Sequence, residues 1–352
     1  MEDNYKWMVC VQCMTYNQAP YIEDALNGFT MQKTTFPFVC CIVDDASTDG
    51  EQEVIVNYLN EHFDLVDNKV ARHEETDDYV LTFARHKTNL NCFFAVLYLK
   101  YNHYKKKSKT PYLAQWHDNA KYIAMCEGDD YWIIREKLEE QVGYMENHIK
   151  CTVCYTNFDI EYMKSGRVIK SAFNSLPSRY KHYKTLDDFI LFTPYVCPPS
   201  WLYRAEIYNQ MNYTGIGVDG SFELFAYLMF KGETHFYSNV TCRYRVVRES
   251  ASHSLDVNKQ ITRRKKLLEL QHKLIDKYNL NPNLKEKCEE RYIHKNLLFF
   301  VENNFQDEIN KAKRIKTKYS TKEKWLLLVA KNSVLRCLLC FVHRIHNRIK
   351  GY

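Results

Sequence analysis

The residues whose types and spacing could do chemistry lie in two short acidic turns. Glu127-Gly128-Asp129-Asp130 follows an apolar stretch, and its Gly128 permits close approach of another backbone. Carboxylates on such a turn suit a hard divalent cation. Mg²⁺ takes only one or two protein carboxylates and completes its shell with water and phosphate oxygens, so a short acidic turn suffices for a metal–diphosphate site. The competing reading is an acidic turn that merely caps the helix behind it. The second turn, Asp44-Asp45-Ala46-Ser47-Thr48-Asp49-Gly50, ends another apolar run. A carboxylate there can accept hydrogen bonds from a nucleobase or a ribose. Neither a Gly-x-Gly-x-x-Gly fingerprint nor a P-loop occurs. Arg243, Arg245 and Arg248 could neutralise a diphosphate or an anionic acceptor, or could be ordinary surface charge.

The elements that must position these turns alternate. Residues 7–14 read as a buried strand, followed by a helix from about Tyr21 to Met31; Phe36 to Val43 reads as a strand and is followed by a helix through Glu61. A helix is expected from about Asn91 to Tyr104, then an exposed lysine-rich loop over Lys105–Pro111, a strand over Lys121–Met125 and a helix from Arg135 to Asn147. A strand at Cys151–Phe158 opens a region of shorter elements to about Val247. From Asn258 the pattern is helical, with apolar residues three and four apart over Ile261–Tyr278 and Leu284–Phe305. Such alternation predicts a mostly parallel sheet flanked by helices, with ligands at the carboxyl ends of the strands, where both acidic turns fall.

Composition and charge narrow the class. With 45% hydrophobic residues and 14% aromatic, 352 residues are ample for a real core plus a further segment, and disorder is excluded. The net charge of +6 is uneven, because residues 259–352 hold 23 Lys/Arg against 9 Asp/Glu. A basic tail of this kind meets something anionic or is a solvated helical face. Few aromatics interleave with its basic clusters, so nucleic acid is not expected as a partner. Its last segment, Trp325 to Ile349, has apolar residues on one side and is too interrupted to span a bilayer. It reads either as a basic amphipathic helix in a membrane interface or as a helix packed on the body of the protein. The acidic N-terminus lacks a signal-peptide pattern, and a cytoplasmic protein, peripheral on the inner face of the membrane if the tail binds lipid, is the expectation. The 13 cysteines then act as small buried hydrophobes, and the pairs Cys10/Cys13, Cys151/Cys154 and Cys337/Cys340 are read as strand and helix residues rather than zinc knuckles.

Three motifs in order carry a family resemblance: Met14-Thr15-Tyr16-Asn17-Gln18-Ala19-Pro20-Tyr21-Ile22-Glu23, Val43-Asp44-Asp45-Ala46-Ser47-Thr48-Asp49-Gly50, and Cys126-Glu127-Gly128-Asp129-Asp130-Tyr131-Trp132 with Lys137-Leu138 and Gln141-Val142 behind it. Together they resemble the family 2 inverting glycosyltransferases of the GT-A fold, in particular the bacterial polysaccharide-biosynthesis type. The resemblance implies a Rossmann-like α/β catalytic domain over 1–257, with a nucleotide-sugar half (1–150) and an acceptor half (151–257). Residues 258–352 then form a basic helical region. It further implies that Thr15, Tyr16, Asp44 and Asp45 hold the donor nucleoside, that Glu127 lies near ribose and diphosphate, and that Asp129, in the Asp-x-Asp position, binds Mn²⁺ or Mg²⁺. The donor expected is a nucleotide sugar, a UDP-sugar first, and the acceptor a polysaccharide or lipid-linked glycan.

Inversion needs a carboxylate that takes the proton of the attacking hydroxyl. The family places it 11 residues before a Lys-Gly turn, a spacing that from Gly232 falls on Ser221. Asp219 lies two residues earlier and Glu223 two later. Asp219 is expected to be the base, with Glu223 as the alternative and an N-cap as the other role open to Asp219. A catalytically impaired nucleotide-binding module is the second reading of the chain.

Overall fold

The computed structural model describes residues 5–104, 106–177, 180–195, 197–247, 256–315 and 317–349. The strands are β1 (Trp7–Thr15), β2 (Phe38–Asp44), β3 (Phe63–Asp64), β4 (Arg72–Glu75), β5 (Tyr79–His86), β6 (Cys92–Leu99), β7 (Ala120–Met125), β8 (Tyr131–Trp132), β9 (Cys151–Tyr162), β10 (Arg167–Ile169), β11 (Leu202–Arg204) and β12 (Glu233–Val246). The helices are α1 (Ile22–Thr30), α2 (Glu51–His62), α3 (Thr110–His117), α4 (Lys137–Asn147), α5 (Ala172–Ser175), α6 (Leu186–Phe192), α7 (Ala205–Asn209), α8 (Gly220–Lys231), α9 (Val257–Lys277), α10 (Asn283–Glu302), α11 (Gln306–Arg314), α12 (Thr321–Val329) and α13 (Ser333–Ile349).

The chain divides into two compact units. The first comprises residues 1–186, 194–213 and 220–250; the second comprises 187–193, 214–219 and 251–352. The first unit is built on one sheet of order β3-β5-β6-β2-β1-β7-β11-β9-β12-β8. Its centre is parallel, as the alternation predicts: β6, β2, β1 and β7 run together, in a register that sets Thr15 beside Asp44. Antiparallel strands flank this centre at β5 and β11. The central strands are apolar on both faces because both faces are covered. On one, Tyr112, Leu113 and Trp116 of α3 pack on Cys10, Val39, Cys41, Leu97 and their neighbours. On the other, Phe29 of α1 meets Phe94 and Trp132 edge-on, at centroid distances of 6.3 and 5.1 Å.

The helix expected over Asn91–Tyr104 is not formed; Cys92–Leu99 is β6, held between β2 and β5. Its sequence, Cys-Phe-Phe-Ala-Val-Leu-Tyr-Leu, is a continuous apolar run that carries no period of its own. Eight aromatic-rich residues buried on two faces satisfy a central strand as well as a helix, and the vacant sheet edges decide. The region of short elements also contains the 14-residue β12, which pairs with β9 along the whole of that strand.

The second unit is helical, as its periodicity predicts. Asp256 caps α9 by accepting from the Asn258 and Lys259 amides, and Ser320 and Glu323 form a capping box at the start of α12. The segment Trp325–Ile349 is two helices rather than one. Asn332 accepts hydrogen bonds from the Val334 and Leu335 amides at 2.9 and 3.2 Å, which starts α13 afresh. Among the described residues no helix is long and apolar enough to cross a membrane.

Candidate active site

The carboxyl ends of β2, β1 and β7 lie side by side, and each delivers one of the three motifs to the same edge of the sheet. The Glu127 turn continues the pairing of β7 with β1: the Cys126 amide donates to the Gln12 carbonyl at 3.0 Å and the Gly128 amide to Met14 at 3.3 Å. Gly128 is required by this approach. A Cβ on it would stand 2.4 Å from Thr15 Oγ1 and 2.5 Å from Gln18 Oε1.

The loops after β1 and β2 are stitched to each other. The Asn17 amide donates to Ser47 Oγ at 2.9 Å, the Thr48 amide to Asn17 Oδ1 at 2.8 Å, and the Ala19 amide to Asp49 Oδ2 at 3.0 Å. Asn17 and Ala46 hold left-handed backbone conformations in these turns, as does Gly50 at the start of α2. Glycine and asparagine adopt this conformation readily, whereas for Ala46 it is a strained turn that the surrounding bonds hold. At the centre is Glu51, a fully buried carboxylate that the motifs did not single out. It accepts from Thr15 Oγ1, from the Gln18 amide at 2.9 Å and from Ser47 Oγ at 2.8 Å. In sequence it looks like one more acid in the first turn of a helix. Only the fold shows that it points back into the strand ends.

The predicted donor residues have different surroundings. Tyr16 is exposed and free to meet a ligand face, whereas Thr15 is buried against Glu51. Asp44 is buried and accepts from the Ser47 amide and from Gln52 Nε2. Burial pushes its carboxyl up, against the pull of those hydrogen bonds. Asp45 is engaged by the protein itself: the His103 amide and Lys109 Nζ each donate to it at 2.7 Å, which ties the loop after β6 to the loop after β2. The lysine-rich segment is thus partly anchored through Lys109.

Glu127, Asp129 and Asp130 crowd one turn. Glu127 keeps an open face but sits in a recess surrounded by protein, and this desolvation, with Asp129 beside it, pushes its carboxyl up to about 7 despite Lys109. Burial likewise raises Asp129, opposed by its own backbone amide, Arg245 and Gln18. Asp130 is buried, accepts from the Arg245 amide at 2.8 Å and is raised well above the carboxylate range by burial and by Asp129. Arg245 cannot neutralise all three. It is buried, paired with Asp24 and with Glu161 at 3.4 Å, and lies 4.2 Å from the Tyr131 ring. Arg243 bonds Tyr131 Oη at 2.7 Å and faces Asp159 at 3.6 Å, while Arg248 lies outside the described residues. All three carboxyls are thus held above their usual range, and a divalent cation, whose charge would favour their ionised forms, fits that donor set. Among the described residues no three His, Cys, Asp or Glu side chains converge on one point as a closed cage. An open site completed by phosphate oxygens needs none.

Residues 10–78, which include Thr15, Asp44 and Glu51, match the model of Glycosyl transferase family 2. That stretch is 69 of the 352 residues. An uncharacterized protein of Mycobacterium tuberculosis is 32% identical over 147 residues, which is 40% of this chain and 32% of the relative. A counterpart in Mycobacterium bovis matches to the same extent, and the chain covers about a third of the length of these relatives. Bacillus subtilis TuaG, named for teichuronic acid biosynthesis as a glycosyltransferase, is 24% identical over 250 residues, 71% of this chain and 83% of TuaG. Two solved structures share the fold. Staphylococcus aureus TarS 1-349 in complex with UDP has a TM-score of 0.53 at 17% identity, over 98% of this chain and 92% of that one. Mannosyltransferase PcManGT from Pyrobaculum calidifontis, in complex with GDP-Man and Mn²⁺, has a TM-score of 0.51 at 15% identity, over 96% and 88%.

The two candidate bases fall in different units. Asp219 belongs to the second, where its left-handed backbone precedes α8 and Arg263 of α9 holds its Oδ1. Glu223 is buried in the first turn of α8, in the first unit.

Proposed function

We propose that this chain is a family 2 glycosyltransferase that transfers a sugar, with inversion, from a nucleotide-sugar donor to a hydroxyl of a polysaccharide or lipid-linked glycan. The observation that carries the reading is the convergence of Thr15, Asp44 and the Glu127–Asp130 turn on one edge of a parallel sheet. A UDP-sugar is the donor we favour, in keeping with a fold relative solved with UDP. Asp44, buried yet polar, would accept hydrogen bonds from the nucleoside, with Thr15 behind it and exposed Tyr16 across the base. Glu127 would face the ribose and diphosphate. Asp129 would hold Mg²⁺ or Mn²⁺, which as a Lewis acid supplies stabilisation of the charge that grows on the departing diphosphate.

Asp219 would take the proton of the attacking hydroxyl on Oδ2, the oxygen that Arg263 does not occupy. Arg263 would then hold the carboxylate in one orientation. The alternative base is Glu223. A cytoplasmic location fits the 13 free thiols. Asp129→Ala is the direct test: metal-dependent hydrolysis of a panel of nucleotide sugars should fall to background, and unchanged hydrolysis would overturn the metal role.

One observation favours a second reading, a nucleotide-binding module without turnover: Ser221 stands where the family places the base. Calorimetry with UDP and Mn²⁺ separates the two. Binding without hydrolysis of any donor, or transfer to any acceptor, supports the module.

A further inference from the structure

The second unit exposes apolar side chains that its own packing does not use. On α12, Leu326 and Val329 are buried whereas Trp325 is 50% and Leu328 63% exposed. On α13, Val334, Leu338 and Phe341 are 66%, 54% and 63% exposed; at spacings of four and three residues they share one helix face. The helix is anchored by the opposite face. Arg336 donates to Asn304 Oδ1, and Cys340 Sγ lies 3.4 Å from the Glu302 carbonyl oxygen. The outward stripe is thus presented by a docked helix, and single scattered apolar residues do not account for it.

Charge selects what covers it. Residues 309–352 carry twelve Lys/Arg and one acid, Glu323, and Glu323 is engaged by Ser320 and His294. Lys322, Lys324 and Lys331 on and beside α12 are exposed. A protein partner would need an acidic rim around an apolar centre, whereas an anionic bilayer offers both chemistries to any helix that lies along it. At 17 residues, α13 falls short of the roughly 20 apolar residues of a span, and Arg336 interrupts it. A helix of that kind lies in the interface plane, where tryptophan also prefers to sit.

We propose that α12 and α13 form a docking surface for an anionic lipid bilayer, with Trp325, Leu328, Val334, Leu338 and Phe341 inserted among the acyl chains and the lysines on the headgroups. The proposal stands apart from glycosyl transfer. Full-length protein should sediment with phosphatidylcholine vesicles that contain about a quarter phosphatidylglycerol, and at least tenfold more weakly with phosphatidylcholine alone. Leu338→Glu and Phe341→Glu together should lower partitioning at least tenfold, with melting temperature and UDP binding unchanged. Lys322→Glu and Lys331→Glu together should lower binding to the anionic vesicles alone. The idea is overturned if the wild type sediments with neither vesicle, or if the apolar pair leaves partitioning unchanged. It is equally overturned if light scattering finds a dimer that the apolar pair dissolves, since the face would then cover a second copy of the chain.

Discussion

Replacing Gly128 by alanine asks whether the close contact between β1 and the acidic turn builds the donor site. The added methyl would sit 2.4 Å from Thr15 Oγ1 and 2.5 Å from Gln18 Oε1, where ordinary contacts begin at 3.4 Å. Something must therefore move by about 1 Å, and the Gly128 backbone is itself tied to Met14. Overpacking of this size costs roughly 1–3 kcal/mol of stability. A misplacement of about 1 Å in a catalytic constellation costs about 10²-fold in rate, or about 2.7 kcal/mol of transition-state stabilisation. The expected outcome is a folded protein with a lower melting temperature, UDP affinity reduced at least tenfold in calorimetry and donor hydrolysis reduced about 100-fold. Gly143→Ala is the control. It lies in α4 with nothing within 4 Å of its Cβ position, so alanine there should raise stability by about 0.5–1 kcal/mol and leave binding alone. If Gly128→Ala melts earlier yet binds UDP and Mn²⁺ as the wild type does, the contact of Gly128 with Thr15 does not build the donor site and the reasoning fails.

Glu51→Ala strands the Gln18 amide and removes the acceptor of the Ser47 hydroxyl, leaving the Thr15 hydroxyl only Gln18 Oε1, and urea unfolding should show a loss of about 2–4 kcal/mol, with Glu51→Gln milder. His117 is buried without a partner for Nε2, and desolvation lowers it to about 4. Its folded value lies below the unfolded one, so its contribution is complete above about pH 6.5 and is lost as pH falls towards 4. At pH 5 the loss should be about 2 kcal/mol, and a His117→Gln variant should lack that part of the pH dependence in thermal melts. For the base, Asp219→Asn should reduce transfer about 10²–10⁴-fold while UDP binding persists; if Glu223→Gln does so instead, the roles exchange.

The sequence by itself determined the parallel centre of the sheet and the three turns at its edge. Local signals suffice there: apolar runs of strand length, each ended by polar turn residues, leave little choice of element and place the turns at strand ends. It also marked Gly128, whose need for close approach shows in its position between acids. Tertiary structure alone decided β6, because an apolar run without a period takes whatever form its neighbours' unpaired backbone groups demand. The same holds for Glu51 and Asp45. Side by side in the motif Asp44-Asp45 look equivalent, yet Asp44 stays with the strand end while Asp45 is claimed by His103 and Lys109 from 58 and 64 residues away. Which partners each acid takes is a property of the folded chain, and spacing along the chain does not encode it.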